Sequence, residues 1–166
     1  MSIGDPSRQS DRRDLRADLE ALYADYVGCL DDAEFERWPG FFTEPCSYKI
    51  ISRENFDRGL PLAALMCESR GMLMDRVTAI RQTSLFAPRY MRHIVSSLRF
   101  DDWHGDELAV RANYVVFETL VDEMTRVFQS GRYIDRLVVE DDCLKFREKL
   151  CVFDSVLVSN SLVFPV

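Results

Sequence analysis

Apolar residues recur at three- and four-residue steps from Leu15 through Leu19, Leu22, Tyr23, Tyr26 and Val27 to Leu30, which predicts an amphipathic helix with one continuous apolar face. Asp11 or Ser10 is placed to cap its start. The stretch before it, residues 1–11, mixes Gly, Pro, Ser, Asp and Arg with little apolar material and reads as a flexible arm; residues 12–166 read as a single domain. Asp31-Asp32 predicts the opening of a second, short helix through Arg37, stopped by Pro39-Gly40 because proline cannot continue it. Trp38, Phe41 and Phe42 then form a bulky apolar cluster suited to plug one end of a core. Cys46 to Ser52 has strand composition, and Leu62 to Cys67 is a shorter apolar run compatible with strand or helix. Arg70 to Thr83 is helical by pattern, with Leu73, Met74, Val77 and Ile80 along one side, and Pro88 separates it from the second half of the chain.

That second half changes period. Tyr90 to Phe100, Glu107 to Leu120, Thr125 to Val139 and Cys143 to Ser155 are long, rich in β-branched residues and partly alternating. Val110, Ala112, Tyr114, Val116 and Glu118 fall on one face, and Arg111, Asn113, Val115 and Phe117 on the other. Short polar breaks separate these runs, so consecutive strands are expected to pair antiparallel as a meander. Gly131 inside the third run predicts a bulge where the sheet bends. Helices first and a long curved antiparallel sheet afterwards define an α+β architecture in which the sheet curls over the helices as a cone.

Composition narrows the classes of function. The 166 residues suffice for one core, and 47% hydrophobic with 30% charged residues is ordinary for a globular protein. No run approaches the roughly 20 apolar residues of a membrane-spanning helix. The polar start lacks the apolar centre of a signal peptide, so a cytoplasmic location without membrane contact is expected. The net charge of −7, with scattered basic groups, argues against nucleic acid as a partner. The cysteines at 29, 46, 67, 143 and 151 have neither metal-binding nor redox spacing and read as free thiols.

Candidate chemistry is sparse. A Rieske cluster needs C-x-H and C-x-x-H segments, and neither occurs. A mononuclear iron triad needs two histidines and a carboxylate. The two histidines here, His93 and His104, fall on a strand and in the turn Asp102-Trp-His-Gly105, which reads as solvated rather than metal-binding. No G-x-S-x-G elbow, glycine-rich phosphate loop or dinucleotide fingerprint is present among seven glycines. General acid–base chemistry is the remaining enzymatic option. His93, Tyr133, Asp135 and Asp154 are placed to point into the cone, where His93 and Asp135 can act as an acid–base pair. The competing reading is a satisfied buried pair, such as His93 or Arg92 with Asp135, that holds the sheet in register. Arg76 beside Asp75, and Arg89 and Arg92 around Tyr90, fit ion pairs better than a carboxylate-binding site. Met66, Met72 and Met74 read as adaptable core packing. The apolar tail Ser161-Leu-Val-Phe-Pro-Val166 must dock, either into its own domain or against another subunit.

Trp38-Pro-Gly-Phe-Phe42, Met74-Asp-Arg-Val-Thr-Ala-Ile80, Arg89-Tyr-Met-Arg-His-Ile-Val95, Gly131-Arg-Tyr-Ile-Asp135 and Lys145-Phe-Arg-Glu-Lys149 leading to Asp154 stand in an order and spacing that carry a resemblance. From about Leu15 onward the chain resembles the small (beta) subunit of aromatic-ring-hydroxylating oxygenases, members of the nuclear-transport-factor-2-like superfamily. The ending is similar to small subunits of salicylate 5-hydroxylase and terephthalate dioxygenase. The resemblance implies a cone-shaped nuclear-transport-factor-2-like fold and a structural subunit with no catalytic, metal or cofactor-binding residue of its own. It implies a large (alpha) subunit as partner, carrying the Rieske [2Fe-2S] cluster and the mononuclear iron, in a hexamer of three large and three small subunits. Ferredoxin and reductase components would supply electrons from NADH. The implied reaction is hydroxylation of an aromatic acid, salicylate to gentisate being the specific expectation. The alternative within the superfamily is a stand-alone, cofactor-free isomerase or dehydratase that uses His93 and Asp135. A module that holds a small ligand in the cone without turnover is a third option.

Overall fold

The computed structural model describes residues 6–82, 87–155 and 164–166. Helix α1 spans Pro6–Asp31, so helical backbone takes in residues 6–11 where an arm was expected. Proline is pre-set for the first helical position, and no glycine or proline interrupts the chain again before Gly28. Leu19, Tyr23, Tyr26 and Leu30 on its apolar face are buried. The helix does not give way to a second one. Asp31 is its last residue, and Ala33 turns the chain in the left-handed region at φ 55°. The amide of Glu34 then donates to the Cys29 carbonyl at 2.9 Å, within a run of turns. A single 3₁₀ turn, Trp38–Phe41, comes next and contains Pro39-Gly40, with the proline in its first turn, where the missing N–H costs nothing.

Strand β1 (Phe42–Ser52) leads into the short helix α2 (Arg53–Asp57), whose start is capped by Ser52 accepting from the Asn55 amide at 3.3 Å. Strand β2 (Leu65–Cys67) precedes helix α3 (Arg70–Gln82), whose buried side is Leu73, Val77 and Ile80. Four long strands complete the chain: β3 (Arg89–Phe100), β4 (Leu108–Leu120), β5 (Arg126–Glu140) and β6 (Cys143–Phe153).

The six strands form one sheet in the order β2-β1-β6-β5-β4-β3. The β3-to-β6 meander is antiparallel, as the short breaks require. The sheet as a whole is mixed, because β1 lies parallel to β6. All of residues 53–142 intervene between those two strands, so the pairing leaves no mark on hairpin spacing. On β4 the alternation is realised as expected: Val110, Ala112, Tyr114, Val116 and Glu118 are buried, and Arg111 and Asn113 are exposed. Helices α1 and α3 pack against the concave face, while α2 covers part of the opposite face, above Ile51 and Val152.

Gly131 does not form the expected bulge. It pairs regularly with Tyr114 and Phe153, and the register slips instead between Val116 and Phe117, opposite Gln129 and Val127. Glycine is required here because a Cβ would meet the Val152 carbonyl oxygen at 2.0 Å.

Trp38 plugs the core beneath edge-to-face contacts with Phe42 and Tyr48. Phe164 stacks on Phe35 with centroids 5.0 Å apart. Val166 is fully buried, its amide donating to Tyr48 Oη at 2.8 Å and its main-chain oxygen accepting from Tyr26 Oη at 3.0 Å. The described end of the tail thus docks into its own domain; residues 156–163 lie outside the described residues. No helix among the described residues is long and apolar enough to cross a membrane.

Candidate functional site

The register of β5 against β6 sets Asp135 opposite Lys149, and both side chains turn into the cone with no exposed surface. Lys149 Nζ lies 2.9 Å from Asp135 Oδ2, and Tyr23 on α1 donates its hydroxyl to the same oxygen at 2.5 Å. The ammonium sits in an aromatic cage, 3.5 Å from the Tyr133 ring centroid, 4.5 Å from Phe146, 4.6 Å from Tyr26 and 4.9 Å from Tyr23. A desolvated cation over ring faces is the arrangement in which cation–π attraction is strongest. Tyr114 stacks on Tyr133 at 4.3 Å, and Tyr48 and Cys151 close the lower side around Val166. Packed rings and one buried ion pair therefore fill the core between α1 and strands β5 and β6.

Burial dominates the acid–base character of this cluster. The carboxyl of Asp135 is pushed above its ordinary range by desolvation, against the pull of Lys149. Tyr23, Tyr26, Tyr48 and Tyr133 are all raised well above the usual phenol value by burial, and the Cys151 thiol is pushed up to about 12. Such phenols and thiols stay protonated at neutral pH and supply neither a base nor a nucleophile.

The sequence-predicted residues do not form one site. Tyr133 and Asp135 share the buried cluster. His93 does not pair with Asp135: its Nδ1 lies 2.7 Å from Asp31 Oδ1, and its amide donates to the same carboxylate at 3.1 Å. The cause is that α1 ends at Asp31 and delivers it to the edge strand β3, while β5 places Asp135 beside Lys149. Arg92 adds a looser contact to Asp31 at 3.7 Å and likewise does not reach Asp135. Asp154 lies past the end of β6, half-exposed, with its side chain 3.4 Å from Arg53. His104 is exposed in its turn, bridged through its backbone to Glu107.

A second buried charge cluster was not foreseen. Glu118, fully buried, accepts from Arg89 at 2.6 Å and from two nitrogens of Arg126 at 2.9 and 2.6 Å, tying β3 to β5 across β4. Met66, Met72 and Met74, expected in the core, are 42, 41 and 59% exposed, because β2 is a short edge strand and α3 buries its other side. Lys149, Tyr23, Asp31 and Glu118 carried one sequence signal each, a charge or hydroxyl at an inward-facing position of a strand or helix. Their partners depended on the pairing of distant elements.

A cavity of about 520 Å³ opens between α1 and the end of β3, lined by Arg16, Glu20, Tyr23, Val27, Val95 and Leu98. Neither His93, Asp135 nor Asp154 lines it. Among the described residues no group of three or more His, Cys, Asp or Glu side chains is gathered to hold a metal ion. The donor set does not fit a Rieske cluster or a mononuclear iron: His93 Nδ1 is committed to Asp31, and His104 stands apart.

Residues 27–160 match the family described as the ring hydroxylating beta subunit. The chain is 36% identical over 141 residues to the anthranilate 1,2-dioxygenase small subunit of Burkholderia cepacia, covering 85% of this chain and 88% of that protein. It is 28% identical over 148 residues to subunit beta 2 of the terminal oxygenase component of terephthalate 1,2-dioxygenase from a Comamonas species, covering 89% and 96%. Among solved structures it superimposes with TM-score 0.85 and 34% identity on the beta subunit of a protein assigned to the aromatic-ring-hydroxylating dioxygenases of Novosphingobium aromaticivorans, covering 93% and 99% of the two chains. A protein of the same organism assigned as a scytalone dehydratase shares the fold alone, with TM-score 0.70 and 19% identity over 93% and 97% of the chains. The fold is thus the α+β cone of the nuclear-transport-factor-2-like class. The chain belongs to the family of small (beta) subunits of aromatic-ring-hydroxylating oxygenases, which work as part of oxygenase complexes beside a large (alpha) subunit.

Proposed function

We propose that this chain is the non-catalytic bracing subunit of a multicomponent Rieske oxygenase that hydroxylates an aromatic carboxylic acid. The observation that carries the reading is the filled cone. The Lys149–Asp135 pair, caged by Tyr23, Tyr26, Tyr133 and Phe146, fills the core between α1 and the sheet, and the cavity beside it is lined by neither His93 nor Asp135. His93 and Asp135 are committed to different partners, which removes the geometric basis of that alternative. The Rieske cluster and the iron are assigned to the large subunit, with three copies of each subunit in the complex and electrons arriving through ferredoxin and reductase components. A cytoplasmic setting suits that chemistry, and residues 12–166 act as one folding unit.

For the substrate, the relatives named above are enzymes for anthranilate and terephthalate, which support an aromatic acid as the class. They lend salicylate no specific support. Anthranilate is the first substrate to test, with salicylate and terephthalate in the same panel.

The test is co-expression with a large subunit of the same oxygenase family, then light scattering, iron analysis and oxygen-uptake assays. An iron-containing mixed oligomer should form, and His93→Gln should leave its turnover per iron within about twofold of the parent. Loss of turnover by an intact, iron-loaded complex carrying His93→Gln would contradict the non-catalytic assignment.

A further inference from the structure

The convex face of the sheet is covered unevenly. Over β1 and β6, helix α2 buries Ile51 and Val152, and Arg132 of β5 reaches it through Asp57 at 3.6 Å and the Phe56 ring at 5.4 Å. Over β3 and β4 none of the described residues lies on top. Three side chains of this bare region and the adjoining start of β5 are large, apolar and open to solvent: Tyr90 at 74% exposure, Ile94 at 52% and Val127 at 59%. The register makes them one patch. Ile94 stands opposite Val115, and Phe117 lies between Arg92 on β3 and Val127 on β5, all on the outward side of the pleat.

The charge beside this patch is the second observation. Arg99 and Arg111 face each other at matched register across β3 and β4, both exposed. Among the described residues neither forms an ion pair, whereas Arg132, farther along the same face, has found Asp57. Like charges directly opposite on neighbouring strands are destabilising. The pair is therefore a feature of the isolated chain that a partner's carboxylates would relieve. A basic, apolar surface on a chain of net charge −7 also stands against the overall field.

We infer that the convex face of β3 and β4, with Tyr90, Ile94, Phe117 and Val127 as its apolar centre and Arg99 and Arg111 as its charged rim, is the surface that docks the large subunit. The matching surface on that subunit presents carboxylates beside an apolar patch. This inference rests on the assignment of the chain to an oxygenase complex. Two-fold pairing with a second copy is the wrong chemistry, since it would bring the same arginine-bearing face against itself. Tyrosine and arginine are also the residue types that most often dominate association energetics.

The test uses the full chain co-expressed with a tagged large subunit, comparing the parent, Arg99→Glu/Arg111→Glu, Ile94→Ser, and Glu68→Arg at the opposite edge of the sheet as a control. Circular dichroism and thermal melts of each isolated chain establish folding. The expected result is co-purification of the parent and the control. The arginine double variant should weaken association by on the order of tenfold or more, and Ile94→Ser by a smaller factor. If the double charge reversal unfolds the chain, Arg99→Gln/Arg111→Gln decides instead: it should flatten the salt dependence of association seen in the parent. Retention of parental affinity and salt dependence by folded arginine and Ile94 variants overturns the surface assignment while leaving the complex in place. Failure of the parent itself to bind the large subunit overturns the underlying assignment. A homo-oligomer of the isolated chain that the double variant dissolves assigns the face to self-association and overturns the inference.

Discussion

At the scale of single residues, the Lys149–Asp135 pair is an ion pair with no exposed side-chain surface on either partner. Both side chains have left water completely, so each depends on the other, 2.9 Å away, with the Tyr23 hydroxyl and the ring cage adding to the pair. Lys149→Met alone strands a buried carboxylate and should cost roughly 3–5 kcal/mol in urea unfolding. Adding Asp135→Leu to that variant should restore most of the loss, since apolar replacement of a whole buried pair is often neutral or stabilising. A double variant as unstable as the single one would show that the aromatic cage, not the missing charge, sets the cost. On the surface, Glu36 illustrates the opposite regime. Two hydrogen bonds from Arg81, at 2.7 and 2.8 Å, hold its carboxyl down to about 2. A depressed folded pKa stabilises the native state above the ordinary carboxylate value and loses that contribution as pH falls toward about 2. Thermal melts at about pH 5 and about pH 2.5 should therefore show a slightly larger acid loss for the parent than for Glu36→Gln, small because the pair is exposed.

At the scale of elements, the sheet depends on two devices. Gly131 allows β5 and β6 to approach so closely that a methyl group would overlap backbone rather than a movable side chain. Gly131→Ala should destabilise by about 1–3 kcal/mol or more, measurable as a fall in the urea midpoint. Glu118 links the start of edge strand β3 to β5 through Arg89 and Arg126. Glu118→Ala removes the carboxylate that joins Arg89 to Arg126, so amides near Arg89–Met91 should exchange faster with solvent hydrogen while those in β6 change little. The alternation of β4 was readable because one of its faces is buried and the other is largely solvated. The role of Asp31 was not, because it reads as a helix opener until β3 is seen to supply the amide and imidazole it bonds.

At the scale of the whole molecule, polar and apolar groups are divided between a packed interior and an unevenly covered outer face. The cone is packed to its centre with aromatic rings, and its convex face carries exposed apolar side chains beside two facing arginines. The filled interior and the apolar, basic outer surface are the arrangement that the proposed bracing role requires. Periods of 3.6 and 2, together with short polar breaks, already determined the α+β class and the four-strand meander, because each is a local property of the chain. The lack of Rieske-type ligand spacing was legible for the same reason. Tertiary structure alone decided that β1 runs parallel to β6, that His93 meets Asp31, and that Asp135 meets Lys149 inside a cage of rings. Those contacts join residues distant along the chain and are fixed by strand register and helix docking. No local pattern encodes which of several inward charges will meet.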